Sequence, residues 1–156
     1  MNSVLLIVFA DMIWPALFLE GRLLSVPIII AGLVIEFFFV WRITDLGAGR
    51  AIFADLVMNA TSTLLGIFLI PISGIVWEIF PGLVLYRWFN VGTFNPGTWV
   101  ATFCFAVLIN AALETLIVAK VFRQKMGKRG FGWLCLANGL SVGLAFASFL
   151  IYPMKG

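Results

Sequence analysis

The sequence predicts an all-α integral membrane protein of about five transmembrane helices, one N-terminal span followed by two helical hairpins related as a parallel repeat. Three observations carry that expectation. Of 156 residues, 63% are hydrophobic and 11% are charged, against about 25% charged in a soluble domain, so polar side chains are too few to cover a globule in water. Five apolar runs match the roughly 20 helical residues that a hydrocarbon core about 30 Å thick requires. Five of the ten Lys and Arg residues fall between Lys120 and Arg129, where a cytoplasmic loop would carry them.

The first run, Asn2 to Leu19, follows a start, Met1-Asn2-Ser3, that lacks the basic residues of a signal peptide, and no small-residue cleavage site comes after it. It is expected to be a retained span. The second, third, fourth and fifth spans are expected at Leu23 to Trp41, Ala51 to Ile70, Thr98 to Ala119 and Phe131 to Tyr152. After Ile70 the apolar character persists through Ile75, Val76, Trp77, Ile79 and Phe80. A helix from Ala51 to Leu85 would measure about 52 Å, and Pro71, Gly74 and Pro81 interrupt it. Residues 71–90 are therefore expected to form an interfacial or re-entrant segment, with Trp77, Tyr86 and Trp88 in the headgroup belt and Glu78 and Arg87 on its water side. A sixth span is the alternative.

Charge separates these topologies. With five spans and a cytoplasmic N-terminus, the inner side holds Arg42, Arg50, Lys120, Arg123, Lys125, Lys128 and Arg129, and the outer side holds Arg22, Arg87 and Lys155. A sixth span would reduce that seven-to-three bias to six against four, so the positive-inside rule favours five, with the C-terminus outside a bacterial inner membrane. The same reasoning reads the basic cluster as a topology signal rather than a nucleic-acid patch, and nucleic acid is not expected as a partner.

Comparison of the chain with itself yields the expected repeat. Glu36, in Leu33-Val34-Ile35-Glu36, precedes the basic Arg42 by six residues, as Glu114, in Ala111-Ala112-Leu113-Glu114, precedes Lys120. In the following spans Asn59-Ala60-Thr61-Ser62 corresponds to Asn138-Gly139-Leu140-Ser141. Both hairpins run in the same direction, as in a parallel repeat about the membrane normal. At about 9 Å from the inner end, Glu36 can face Asn59, Glu114 can face Asn138, and Asn110 lies one turn from Glu114 on the same helix face.

An ionised carboxylate in hydrocarbon costs a few kcal/mol even on lenient scales, and no Lys or Arg stands at the depth of either glutamate. Both are expected to rest protonated and hydrogen-bonded. Structural bonding between helices, with Asn59, Ser62, Asn138 and Ser141 as partners, is the favoured role, and a proton or cation relay is the second. Asp11, in the first span with Trp14 and Pro15, either joins the polar interior or bonds backbone groups freed at a kink. Asp55, five residues from Arg50, reads as an interfacial charge. Gly139 and Gly143 form a G-x-x-x-G beside Ala137, Ser141, Ala145 and Ser148, suited first to packing within the chain and second to a homo-oligomer seam.

Catalytic patterns are missing. The chain has no histidine, its two cysteines, Cys104 and Cys135, fall on separate spans near opposite faces, and it has no phosphate-binding loop. No cofactor, metal or enzymatic activity is expected. The leading functional expectation is a small non-enzymatic membrane protein acting through helix contacts, either an accessory subunit or an immunity protein against a membrane-inserting toxin. The alternative is a carboxylate-dependent transporter or channel for protons or cations, working as an oligomer.

Overall fold

The computed structural model describes residues 13–82, 84, 88 and 96–151. Among these residues five α-helices follow one another: α1 (Ile13–Leu23), α2 (Val26–Ile43), α3 (Ala48–Trp77), α4 (Pro96–Lys120) and α5 (Lys128–Ile151). Among the described residues α2 to α5 are long and apolar enough to cross a membrane, so the chain is an all-α, multi-pass membrane protein. Large side chains such as Ile30, Phe38, Phe53, Leu64, Phe68 and Leu116 are exposed on the outside of the bundle, where lipid rather than water solvates them.

Each spanning helix packs beside the next, and α2 closes the ring against α5. The closest associations are α2 with α5, α3 with α4 and α4 with α5, while α2 and α3 hold each other less tightly. The short α1 lies chiefly against α3 and α5 and sends the fully buried Leu19 into an apolar cluster with Ile70, Ala106, Val107, Val142 and Ala145. A second cluster, near the α2–α3 and α4–α5 turns, joins Val40, Leu46, Ala51, Ala54, Met58, Ala111, Val118 and Leu134. Both cores are built mainly of small and branched residues, which let helix backbones approach.

The turns close the basic end. Thr44 ends α2 by directing both its hydroxyl (2.7 Å) and its N–H (3.1 Å) to the Val40 carbonyl. After α4, the amides of Phe122 and Gln124 reach back to the carbonyls of Ile117 and Val118, and Arg123 takes a left-handed conformation with φ 53°. The two turns touch where the Asp45 N–H donates to Gln124 Oε1 at 3.2 Å. Arg42, Arg50, Lys120, Arg123, Lys125, Lys128 and Arg129 all lie exposed at this end.

Two expected boundaries change. The third span does not stop at Ile70: α3 continues through Pro71 to Trp77 for 30 residues, or about 45 Å. Proline removes one amide from the ladder, but lipid-embedded helices tolerate it when their surroundings support the backbone. The break comes instead at Glu78–Gly82, where Phe80 is extended (φ −166°, ψ 125°). The rest of the expected interfacial segment, including Tyr86 and Arg87, lies outside the described residues. So do residues 2–12 of the first expected span, Asp11 among them; its described part, α1, runs past Leu19 to Leu23.

Candidate functional site

Between the two apolar clusters lies a polar layer, and helical periodicity builds it. On α2 the buried positions are Gly32, Glu36 and Val40, spaced one turn apart. On α3 they run Ala51, Ala54, Asp55, Met58, Ser62 and Gly66. Glu114 lies between Ala111 and Val118 on the buried face of α4, and α5 adds Asn138 and Ser141 between Leu134 and Val142. Glu114 is 1% exposed, and Glu36 and Asp55 are each 3% exposed.

The layer's bonds differ around the ring. Asn138 donates its amide to Glu114 Oε2 at 2.6 Å and to the Leu134 carbonyl at 3.1 Å. Asn59 spends its amide on its own helix, on the Asp55 carbonyl at 3.1 Å and on Asp55 Oδ1 at 3.2 Å. Asn59 and Ser141 are the polar side chains within reach of Glu36, as Asn138 and Ser62 are for Glu114. The expected meeting of Glu114 with Asn138 is therefore a direct bond, while Asn59 lies beside Glu36 with its donors already engaged.

Two carboxyl oxygens, Glu36 Oε2 and Glu114 Oε1, are buried with no hydrogen-bond partner. Glu36, Asp55 and Glu114 are near enough to act on one another electrostatically, and none of the three is ion-paired with a described basic residue. Three carboxyls so placed in a low-dielectric interior cannot all be ionised at once. A layer of this composition can hold protons or accept a cation. Their spacing does not converge on a single metal-sized point among the described residues.

A cavity of about 500 Å³ opens beside the layer, between α2 and α3. Its floor is polar, made by Glu36, Asn59, Ser62, Asn110, Asn138 and Ser141. Its walls are apolar, with Ile28, Leu33 and Ile70 inside and the exposed Leu24, Ile29, Leu64 and Ile67 at the mouth. The space exists because the facing surfaces are small: Gly32, Ala60, Ser62, Thr63 and Gly66 leave it unfilled. The half-buried Asn110 carries its Oδ1 to 3.8 Å from where a Cβ on Gly66 would stand.

Two sequence expectations are corrected here. Asp55 is no interfacial charge: α3 begins at Ala48, so Asp55 stands nearly two turns inside the helix on its buried face. Its four-residue spacing from Ala51 and from Asn59 is the signal that places it in the stripe. Packing within the chain at Gly139 and Gly143 is also not found among the described residues, where a Cβ at either would meet nothing within 4 Å. The buried small face of α5 is Ala137, Ser141 and Ala145 instead, and Ser141 stands where a Cβ on Gly32 would meet its Oγ at 3.6 Å. Cys104 and Cys135 are both free thiols. No protein family, curated protein or solved structure matches the chain.

Proposed function

We propose that this chain is a small, non-enzymatic polytopic membrane protein that moves protons or a cation by way of Glu36, Asp55 and Glu114. The observation that carries this reading is the pair of unpartnered, buried carboxyl oxygens, Glu36 Oε2 and Glu114 Oε1. Acids kept only to bond helices together would have their oxygens satisfied, since a buried unpaired acceptor costs about 1–3 kcal/mol. Carboxyls left incompletely bonded in a membrane interior are the usual mark of a proton or ion path.

The same reading takes in orientation and symmetry. The gathering of basic residues at one end of the bundle supports placing that end in the cytoplasm, with α4 running inward and α5 outward. The matched neighbours of the two glutamates, Asn59 and Ser141 for one and Asn138 and Ser62 for the other, support two hairpins descended from a parallel repeat.

Proton entry into proteoliposomes, followed with an internal pH-sensitive dye under an imposed membrane potential, tests the proposal. Wild-type protein should carry protons; Glu36→Gln and Glu114→Gln, which keep size and hydrogen-bonding capacity, should fold normally and lose the flux. Gln variants as active as wild type would reduce the acids to structural bonds. A second reading, contact with a membrane-protein partner or toxin, draws on Gly139 and Gly143, against whose Cβ positions no described residue packs.

A further inference from the structure

We infer that the groove between α2 and α3 binds a lipophilic ammonium cation that enters sideways from the bilayer, its alkyl chain along the apolar walls and its N–H donors on Glu36. The inference rests on the carboxylate reading above and names the class of cargo.

Hydrogen-bond accounting on the floor selects the headgroup. Every donor there whose bond is known is already spent: Asn59 on Asp55, Asn138 on Glu114 and Leu134, Ser62 Oγ on the Asn59 carbonyl at 3.3 Å, and Ser141 Oγ on the Ala137 carbonyl at 3.2 Å. Left over are the Asn110 amide, hydroxyl lone pairs and Glu36 Oε2, which is buried, unpartnered and part of the cavity lining. A ligand that pairs Glu36 Oε2 must donate. Because Asp55 and Glu114 stand close to Glu36 without a paired cation, a positively charged donor fits better than a neutral one, and an anion is repelled.

Shape and access select the tail. A volume of about 500 Å³ lies within the range of small-molecule sites. The mouth is formed by Leu24, Ile29, Leu64 and Ile67 on membrane-spanning helices, so the approach is from lipid. A bare metal ion would leave the apolar walls unused, whereas an alkylammonium ion uses walls and floor together. The proton and the cation then compete for the same carboxyl oxygens. The titratable groups facing Glu36 are Asp55 from α3 and Glu114 from α4; α5 brings Cys135 near Glu114.

The test uses the full chain in lipid nanodiscs, with empty nanodiscs as background, and three radiolabelled probes of equal chain length: dodecylammonium, dodecyltrimethylammonium and dodecyl sulfate. Dodecylammonium should bind saturably, the trimethyl analogue more weakly because it has no N–H, and the sulfate no more than background. Acidification should displace the ammonium. Glu36→Gln should weaken its binding at least about tenfold, the worth of one charge-assisted bond. Ala60→Trp, which fills the mouth, should abolish it, with Thr63→Phe as the second filling variant should the first not yield folded protein. Equal retention of all three probes, or binding indifferent to Glu36→Gln, would make the groove a crevice for lipid chains and overturn the inference. Loss of ammonium binding with proton flux still dependent on the glutamates would sink the cargo alone; ammonium binding with flux unaffected by the Gln variants would sink the proton reading alone.

Discussion

The hairpins α2–α3 and α4–α5 each oppose a buried glutamate to an asparagine, yet one hairpin is shut and the other open. In α4–α5 the Asn138 amide crosses to Glu114 at 2.6 Å, and aromatic rings join the far half of the pair: Trp99 meets Phe146 and Phe149 edge-on, and Phe103 meets Phe146. In α2–α3 no ring contact among the described residues joins the helices, and the groove lies between them. One residue accounts for the polar half of the contrast. Four positions before Asn138 stands Leu134, which offers only its backbone carbonyl; four positions before Asn59 stands Asp55, whose carboxyl also accepts. Asp55 thus captures the amide that would otherwise reach across to Glu36. The contrast separates an acid with one oxygen tied across its hairpin from an acid that its own hairpin's asparagine leaves untied.

Substitutions on the two sides should separate in the same way. The largest effect is expected on the shut side, where Asn138→Ala leaves Glu114, at 1% exposure, without the amide bond that crosses the hairpin. A loss of about 1–2 kcal/mol follows, read as earlier unfolding in a denaturing-detergent titration, and Asn59→Ala should cost visibly less. Equal losses at the two asparagines would erase the contrast. Asp55→Leu comes next: it removes a buried acid and frees Asn59 for Glu36, so the open hairpin should tighten by up to about 1 kcal/mol while losing ammonium binding. A destabilised protein with binding intact would show that Asp55 does not hold the hairpin open. Smallest is Gly139→Ala, whose new methyl meets no described residue and adds helix propensity. Its stability should stay within about 0.5 kcal/mol of wild type, and a larger loss would reveal a second copy packed on that face.

Hydropathy made the spanning helices legible because burial in lipid acts on each segment by itself, and α2, α4 and α5 fall close to their expected ranges. Pro71 was misleading because its effect depends on what surrounds it: the soluble-protein rule ends a helix there, whereas the surrounding bundle carries α3 on to Trp77. Glu36, Glu114, Asn138 and Ser141 were legible as polar groups inside apolar runs. Asp55 was obscured by its closeness to Arg50, since distance along the chain from a charged loop says little about which face of the helix a side chain takes. The groove could not be read from the chain at all. It arises from a difference in how two pairs of helices meet, and no single-segment property encodes a gap between segments.

The neighbours that frame the groove also differ in length. The 18 residues of α2 span about 27 Å and the 30 of α3 about 45 Å, whereas a bilayer's hydrocarbon layer is about 30 Å thick. Standing upright, α2 nearly matches that layer, while α3 must lean or push its far turns among the headgroups. A thicker membrane draws α3 toward the normal and leaves α2 short, so the angle between them, and with it the width of the gap, becomes a function of the surrounding lipid. Cation affinity measured in bilayers of stepwise longer acyl chains should therefore change steadily, and a flat response would mean the two helices move as one rigid wall. On this account the membrane is a mechanical input to the protein, coupled through the unequal lengths of two adjacent helices.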